Sequence, residues 1–228
     1  VNEERLRPNG AQIQERIARV CERRGLPLSE IKILAATKGR SVAEIQTALD
    51  AGVTLIGENT IQEARAKFSQ LPASLEKHFI GHLQTNKVKP ALELFDLIQS
   101  VDDLKLAQAM EKRAAQMSKT VSVLVEVNIG GATSKFGVVP ENTRALVEEI
   151  ALLSHVRIQG LMTVAPYESV ERVRPYFCRM RELFESLKGI PNVEMKWLSM
   201  GMSHDFEIAI EEGANLVRLG TAIFGPQR

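Results

Sequence analysis

Apolar residues along this chain fall into short continuous runs, separated by longer segments where they recur every three or four positions. The runs cover residues 31–37, 54–58, 78–81, 96–100, 121–128, 157–164, 196–200 and 216–220. Runs of that length without alternation predict strands buried on both faces. Between them, Val42, Ile45 and Leu49, then Leu146, Ile150 and Leu153, then Phe177, Met180, Phe184 and Leu187 keep the period of amphipathic helices. Ser41 and Glu44 have capping-box spacing, which gives the first of these helices a start signal directly after its strand. Ile13, Ile17, Val20 and Cys21 share one face of a further helix, over residues 11–24, that precedes the first strand.

Eight strand-then-helix units predict an α/β fold with a parallel sheet, and eight is the number that closes a (β/α)8 TIM barrel. The rival, an open doubly wound sheet, would carry G-x-G-x-x-G after its first strand, and this chain has none there. No linker rich in Pro, Gly or Ser and no low-complexity tract divides the sequence. Residues 1–228 therefore read as a single barrel domain with an extra N-terminal helix. Pro90 falls inside the fourth helix and predicts a kink or a break there.

Composition narrows function by exclusion. With 44% apolar and 25% charged residues the chain can bury an ordinary globular core. Lys and Arg number 29 against 28 Asp and Glu, so no whole-molecule field favours nucleic acid or an anionic membrane. Cys21 and Cys178 have neither zinc spacing nor the density of a disulfide scaffold, and each is expected to be a small buried apolar residue. The first ten residues are too charged for a signal peptide, and the most apolar run is interrupted by Glu126 and too short to span a bilayer. A cytoplasmic location is the expectation that follows.

In barrels of this kind the active site is built at the carboxyl ends of the strands. The first run ends in Thr37-Lys38-Gly39, the second in Glu58-Asn59 and the third in Gly81-His82. Lys38 follows IKILAAT, which holds no acid and one other charge, Lys32 at the far end. Such a lysine is either a surface residue or a partly desolvated amine able to attack an aldehyde, and its place at a strand terminus favours the second. Barrels frequently bind phosphate on the loops after strands seven and eight. Here those loops offer Gly201 with Ser203, and Gly220 with Thr221, and a helix opening after Ser203 would aim its positive end at an anion.

Arg218, inside the last run, needs an acceptor, either an interior carboxylate such as Glu126 or a ring nitrogen of a ligand. His82 reads as a hydrogen-bonded wall residue ahead of a catalytic base, and Asn59 either caps the helix it begins or touches a ligand. His78 and His204 read as structural or exposed. No set of His, Cys and carboxylates has metal spacing.

Four segments in order, AATKGR around Lys38, HFIGHLQTNK at 78–87, SMGMSHD at 199–205 and VRLGTAIFG at 217–225, resemble the pyridoxal phosphate homeostasis protein family. The resemblance runs from about residue 34 to the end. One departure is Lys77, where members commonly carry an aromatic residue. The resemblance implies a barrel like the alanine racemase N-terminal domain, with pyridoxal 5′-phosphate (PLP) bound to Lys38 as an internal aldimine. It implies Arg218 at the pyridine nitrogen, Ser199, Gly201, Ser203, Gly220 and Thr221 around the phosphate, and Asn59 and His82 along the pocket. It further implies a monomer with a role in PLP and amino-acid homeostasis and no established turnover; as a carrier the protein would have apo PLP-dependent enzymes as its partners.

Chemistry adds its own reason to expect weak catalysis. An arginine can only donate to the ring nitrogen, which leaves that nitrogen unprotonated and the electron sink blunted. Related racemases add a tyrosine from a further domain; here the tyrosines are Tyr167, expected near the barrel mouth, and Tyr176 on a helix. A carrier is thus expected first, a fold-type III enzyme such as an amino-acid racemase second. A phosphosugar isomerase comes third and would need a glutamate base, for which Glu58 is the one acid ending a run.

Overall fold

A computed structural model describes residues 3–226, with side chains from Asn9 onward. The strands are β1 (Lys32–Ala36), β2 (Leu55–Glu58), β3 (Glu76–Phe79), β4 (Leu97–Val101), β5 (Val121–Glu126), β6 (Val156–Met162), β7 (Val193–Ser199) and β8 (Leu216–Leu219). They pair in sequence order, all parallel, and β8 closes on β1, so the expected eight-stranded barrel is the one observed. The helices are α1 (Glu3–Arg24), α2 (Val42–Asp50), α3 (Ile61–Phe68), α4 (Val88–Leu94), α5 (Leu104–Gln116), α6 (Pro140–Ala151), α7 (Val170–Ser186), α8 (Phe206–Glu211) and α9 (Thr221–Phe224).

Strand alternation splits the core in two. One set, with Ala35, Ile56, Ile98, Val123, Leu198 and Val217, joins the helices' buried faces in a continuous outer layer. The other points inward, where Leu34, Leu55 and Leu216 meet Trp197 from one side and Leu97, Leu124 and Met162 meet it from the other. Trp197 thus plugs the barrel, and side chains further along the strands face the mouth.

Several boundaries differ from expectation. Helix α1 begins at Glu3, continuing through the Pro-Asn-Gly stretch that reads locally as a breaker. Tertiary contacts override that signal: Asn9 donates to the Ile223 carbonyl, and Arg16 pairs with Glu207 at 2.6 Å. Pro90 neither kinks nor breaks a helix. It sits in the first turn of the short α4, where its missing N–H has no intrahelical partner to lose. Pro175 also lies inside a helix, α7. The Ser41–Glu44 capping box is formed in both directions. Cys21 is buried, but Cys178 is half-buried and its thiol donates to Glu212 at 3.0 Å. Among the described residues no helix is long and apolar enough to cross a membrane.

Candidate functional site

Below the mouth, polar side chains link strands that are not neighbours. Arg218 of β8 is buried, and its Nη1 donates to Ser199 Oγ of β7 at 2.7 Å while its Nη2 donates to the Thr163 carbonyl at 2.7 Å. Ser199 Oγ in turn donates to Gln99 Oε1 of β4 at 2.7 Å, a contact that can only run through the barrel interior. Burial pulls the Arg218 pKa down to about 10, against the fields of Glu126 and Asp205, so the group stays a cation and a pure donor near neutrality. The expected carboxylate partner, Glu126, acts through that field, while the guanidinium's hydrogen bonds go to a hydroxyl and a carbonyl. Burial pushes Glu126 itself up to about 7, with Asp102 adding to the shift and Arg218 opposing it.

The rim segment carrying Lys38 is held from beneath. Thr37 donates its hydroxyl to Glu58 Oε1 at 2.7 Å, and Lys67 Nζ reaches the Thr37 carbonyl at 2.9 Å and Glu58 at 2.8 Å. Gly39 N–H donates to Glu63 at 2.7 Å, and Lys67 also contacts Glu63 at 2.6 Å. Burial would raise Glu63, but the Lys67 and Gly39 hydrogen bonds and the nearby Lys38 charge outweigh it and hold that carboxyl low. On the other side, the buried Arg40 donates to the carbonyls of Phe224 and Gly225, tying this rim to the end of α9. Lys38 follows the inward series Leu34 and Ala36, yet it is exposed. The expectation is a partly desolvated amine, and the turn after β1 leaves the residue exposed.

The loops after β7 and β8 meet. Ser203 Oγ accepts N–H groups from both Gly220, at 3.3 Å, and Ala222, at 3.0 Å. Gly220 packs beside Ala36 of β1, below Lys38, and Thr221 stands exposed at the start of α9. Gly201 has φ +92, and a Cβ there would lie 2.5 Å from the Ala209 Cβ, so no other residue fits. The converging N–H groups belong to α9. Helix α8, expected to aim its positive end at an anion, opens on Asp205, a buried carboxylate that accepts from Met202 N–H at 2.6 Å.

Asn59 is half-buried at the rim, and Thr60, not Asn59, caps α3. Gly81 lies so close beneath that a Cβ there would come within 2.0 Å of the Asn59 carbonyl. His82 is exposed and stacked on Phe136, with centroids 3.7 Å apart and planes 9° apart. Tyr167, on the loop after β6 as expected, is 85% exposed, with its ring 4.7 Å from that of His204. Lys77 holds its amine 5.8 Å from the Phe68 ring centroid and donates it to the Leu75 carbonyl at 2.9 Å.

Comparison with known proteins decides the lineage. The model of the alanine racemase N-terminal domain family matches residues 3–228. The pyridoxal phosphate homeostasis protein of Aquifex aeolicus is 46% identical over 220 residues, covering 96% of each chain. That of Escherichia coli K12 is 37% identical over 224 residues, covering 95% of this chain and 94% of the other. The chain belongs to the pyridoxal phosphate homeostasis protein family. Its structure also resembles PipY of Synechococcus elongatus, solved with PLP bound, with a TM-score of 0.80 and 34% identity over 93% of this chain and all of that one. A protein of Bifidobacterium adolescentis superposes with a TM-score of 0.92 and 36% identity, covering 97% and 95% of the two chains.

In this family member the structure brings together Arg218 with Ser199 in the interior, and Ser203 with Gly220 at the mouth. Ser199 thus belongs with Arg218 and not with the loop donors among which it was expected. Glu58 faces outward to Lys67, so it cannot serve the isomerase expected to need it. Sequence reasoning also took Glu58 as the one acid ending a strand, whereas β5 stops at Glu126. It missed Gln99 and Ala222 altogether, and it set His78 aside. Gln99 left one signal, a polar residue inside the buried run at 96–100. The N–H of Ala222 has no side-chain signature.

Proposed function

We propose that this protein binds PLP, holds it as a Schiff base on Lys38, and buffers it or delivers it to apo PLP-dependent enzymes. Three features of one barrel mouth support this: the Lys38 amine, the fixed Arg218 donor, and the Ser203 hydroxyl, whose oxygen accepts the Gly220 and Ala222 N–H groups and whose proton is left to face an anion. That set fits a phosphorylated pyridine aldehyde, since it offers an amine, a cation and an oriented hydroxyl donor where the two loops meet. Bound PLP supplies an aldehyde that captures amines and a ring able to draw electrons from an amino acid.

In this reading Ser203, Gly201, Gly220 and Thr221 take the phosphate, Asn59 and His82 flank the ring, and Arg218 donates to its nitrogen with Ser199 as support. The observation that carries the proposal is the convergence of the Gly220 and Ala222 N–H groups on Ser203 beneath the Lys38 rim. An arginine donor at the ring nitrogen disfavours strong carbanion chemistry unless a second acid or base compensates, and Tyr167, the tyrosine near the mouth, is 85% exposed, so a carrier is preferred to a racemase. The proposal includes a monomeric state and a cytoplasmic location.

The purified protein should show visible absorption that Lys38→Ala abolishes, and borohydride reduction should fix the cofactor on Lys38 in peptide mapping. PLP should pass to an apo-enzyme on mixing. Rapid Cα exchange of amino acids in deuterated water, dependent on Lys38, would instead establish the racemase. Size-exclusion chromatography checks the monomer.

A further inference from the structure

The barrel interior is apolar around Trp197, yet one continuous polar chain crosses it. It begins at Glu76, whose Oε1 lies 2.9 Å from His78 Nε2. It continues with His78 Nδ1 2.8 Å from Gln99 Nε2, Gln99 Oε1 2.7 Å from Ser199 Oγ, and Ser199 Oγ 2.7 Å from Arg218 Nη1. His78 is 1% exposed and Gln99 and Ser199 are 0% exposed. Leucine at positions 78 and 99 would pack such an interior at less cost, because each buried polar group must keep a partner. The chain ends on the one buried cation that faces the mouth from the described inner strand positions.

The direction of the bonds is fixed from the Arg218 end. A guanidinium only donates, so Ser199 Oγ must receive Nη1–H. The single Ser199 proton then goes to Gln99 Oε1, which leaves the Gln99 amide N–H facing His78 Nδ1. His78 accepts there and carries its proton on Nε2, toward Glu76. Every member is satisfied in one arrangement, and Gln99 is the element that tells Ser199 which way to turn.

We infer that Gln99 and His78 are positioning residues that hold Arg218 in its donor orientation by fixing the hydroxyl of Ser199. The inference rests on the proposed binding of PLP with Arg218 at its ring nitrogen. Neither residue touches the cofactor; each acts through the hydroxyl.

The test uses the full-length protein titrated with PLP, reading the position of the visible band and the affinity. Gln99→Met removes both amide bonds at similar volume. It should shift the band and weaken binding roughly threefold to tenfold, the loss of one oriented hydrogen bond. In a Ser199→Ala background the same substitution should change neither the band nor the affinity further, because the effect passes through that hydroxyl. If Gln99→Met does not fold, His78→Leu, which frees the Gln99 amide to turn, should shift the band in the same direction. A folded Gln99→Met with wild-type band and affinity, a folded His78→Leu with the wild-type band, or additive effects with Ser199→Ala overturns the inference. Failure of the underlying reading looks different: the wild-type protein would then gain no visible band with PLP, or Lys38→Ala would keep it.

Discussion

Glu58 and Lys67 stand 2.8 Å apart beneath the turn that carries Lys38, with Glu58 fully closed to solvent and its second oxygen without a hydrogen bond. Burial pushes the Glu58 carboxyl up, and the Lys67 and Thr37 hydrogen bonds pull against it. Lys67→Met would strand that carboxylate and release the Thr37 carbonyl. It should cost about 3–5 kcal/mol, the range for a buried pair broken on one side. Adding Glu58→Gln should recover part of the loss, since the two changes share one interaction. Urea unfolding of the two single variants and the double variant measures this, and a loss below about 1 kcal/mol for Lys67→Met would show that the pair is not holding the turn.

How much of this was legible follows from what each residue faces. The eight strands could be read because strands of a parallel barrel are buried on both sides and leave uninterrupted apolar runs. Strand β3 was placed late, at 78–81, because its first residues, Glu76 and Lys77, are polar ones at the closed end of the barrel. The rim residues Lys38, Ser203 and Gly220 were legible from their places at strand ends. His78 and Gln99 were not, because a polar residue inside a buried run shows that it needs a partner but not which strand across the barrel supplies it. Their role appears only when β4 and β7 are seen to meet across the lumen.

The buried Glu126 makes stability depend on pH. Its carboxyl is raised from 4.5 to about 7, so the folded state holds a proton that the unfolded chain has lost over that interval. Stability from this group is fully present below pH 4.5 and is lost as pH rises through about 7. The change is on the order of 3 kcal/mol at most. Glu126→Gln, which mimics the protonated form, should flatten that part of the profile and make the protein more stable than wild type above pH about 8. Denaturant midpoints across the range decide it, and parallel profiles for the two proteins would rule the group out.

Arg218 predicts an effect that depends on the geometry of the fork and not on its charge alone. Its fork contacts Ser199 with one arm and the Thr163 carbonyl with the other, which a lysine cannot do at once. Arg218→Lys should therefore fold but bind PLP at least tenfold more weakly, with a shifted visible band. Equal affinity in the two proteins would mean that charge alone, and not the fork, is used.

The meeting of Ser203 with α9 lets the proposed phosphate recognition be tested apart from the proposed aldehyde capture. Ser203 Oγ accepts from Gly220 and Ala222 N–H, and its own proton remains available to an anion placed against those groups. Ser203→Ala removes that donor and the hydroxyl that sets the two loops together. PLP binding should weaken about tenfold, the scale of a hydrogen bond to a charged group. Pyridoxal has the same aldehyde and ring but no phosphate, so its weaker capture by Lys38 should be nearly unchanged in the variant. Inorganic phosphate should compete with PLP in the wild type and compete less well in Ser203→Ala. If both vitamers lose affinity equally, Ser203 is supporting the rim as a whole, and the anion must be held elsewhere.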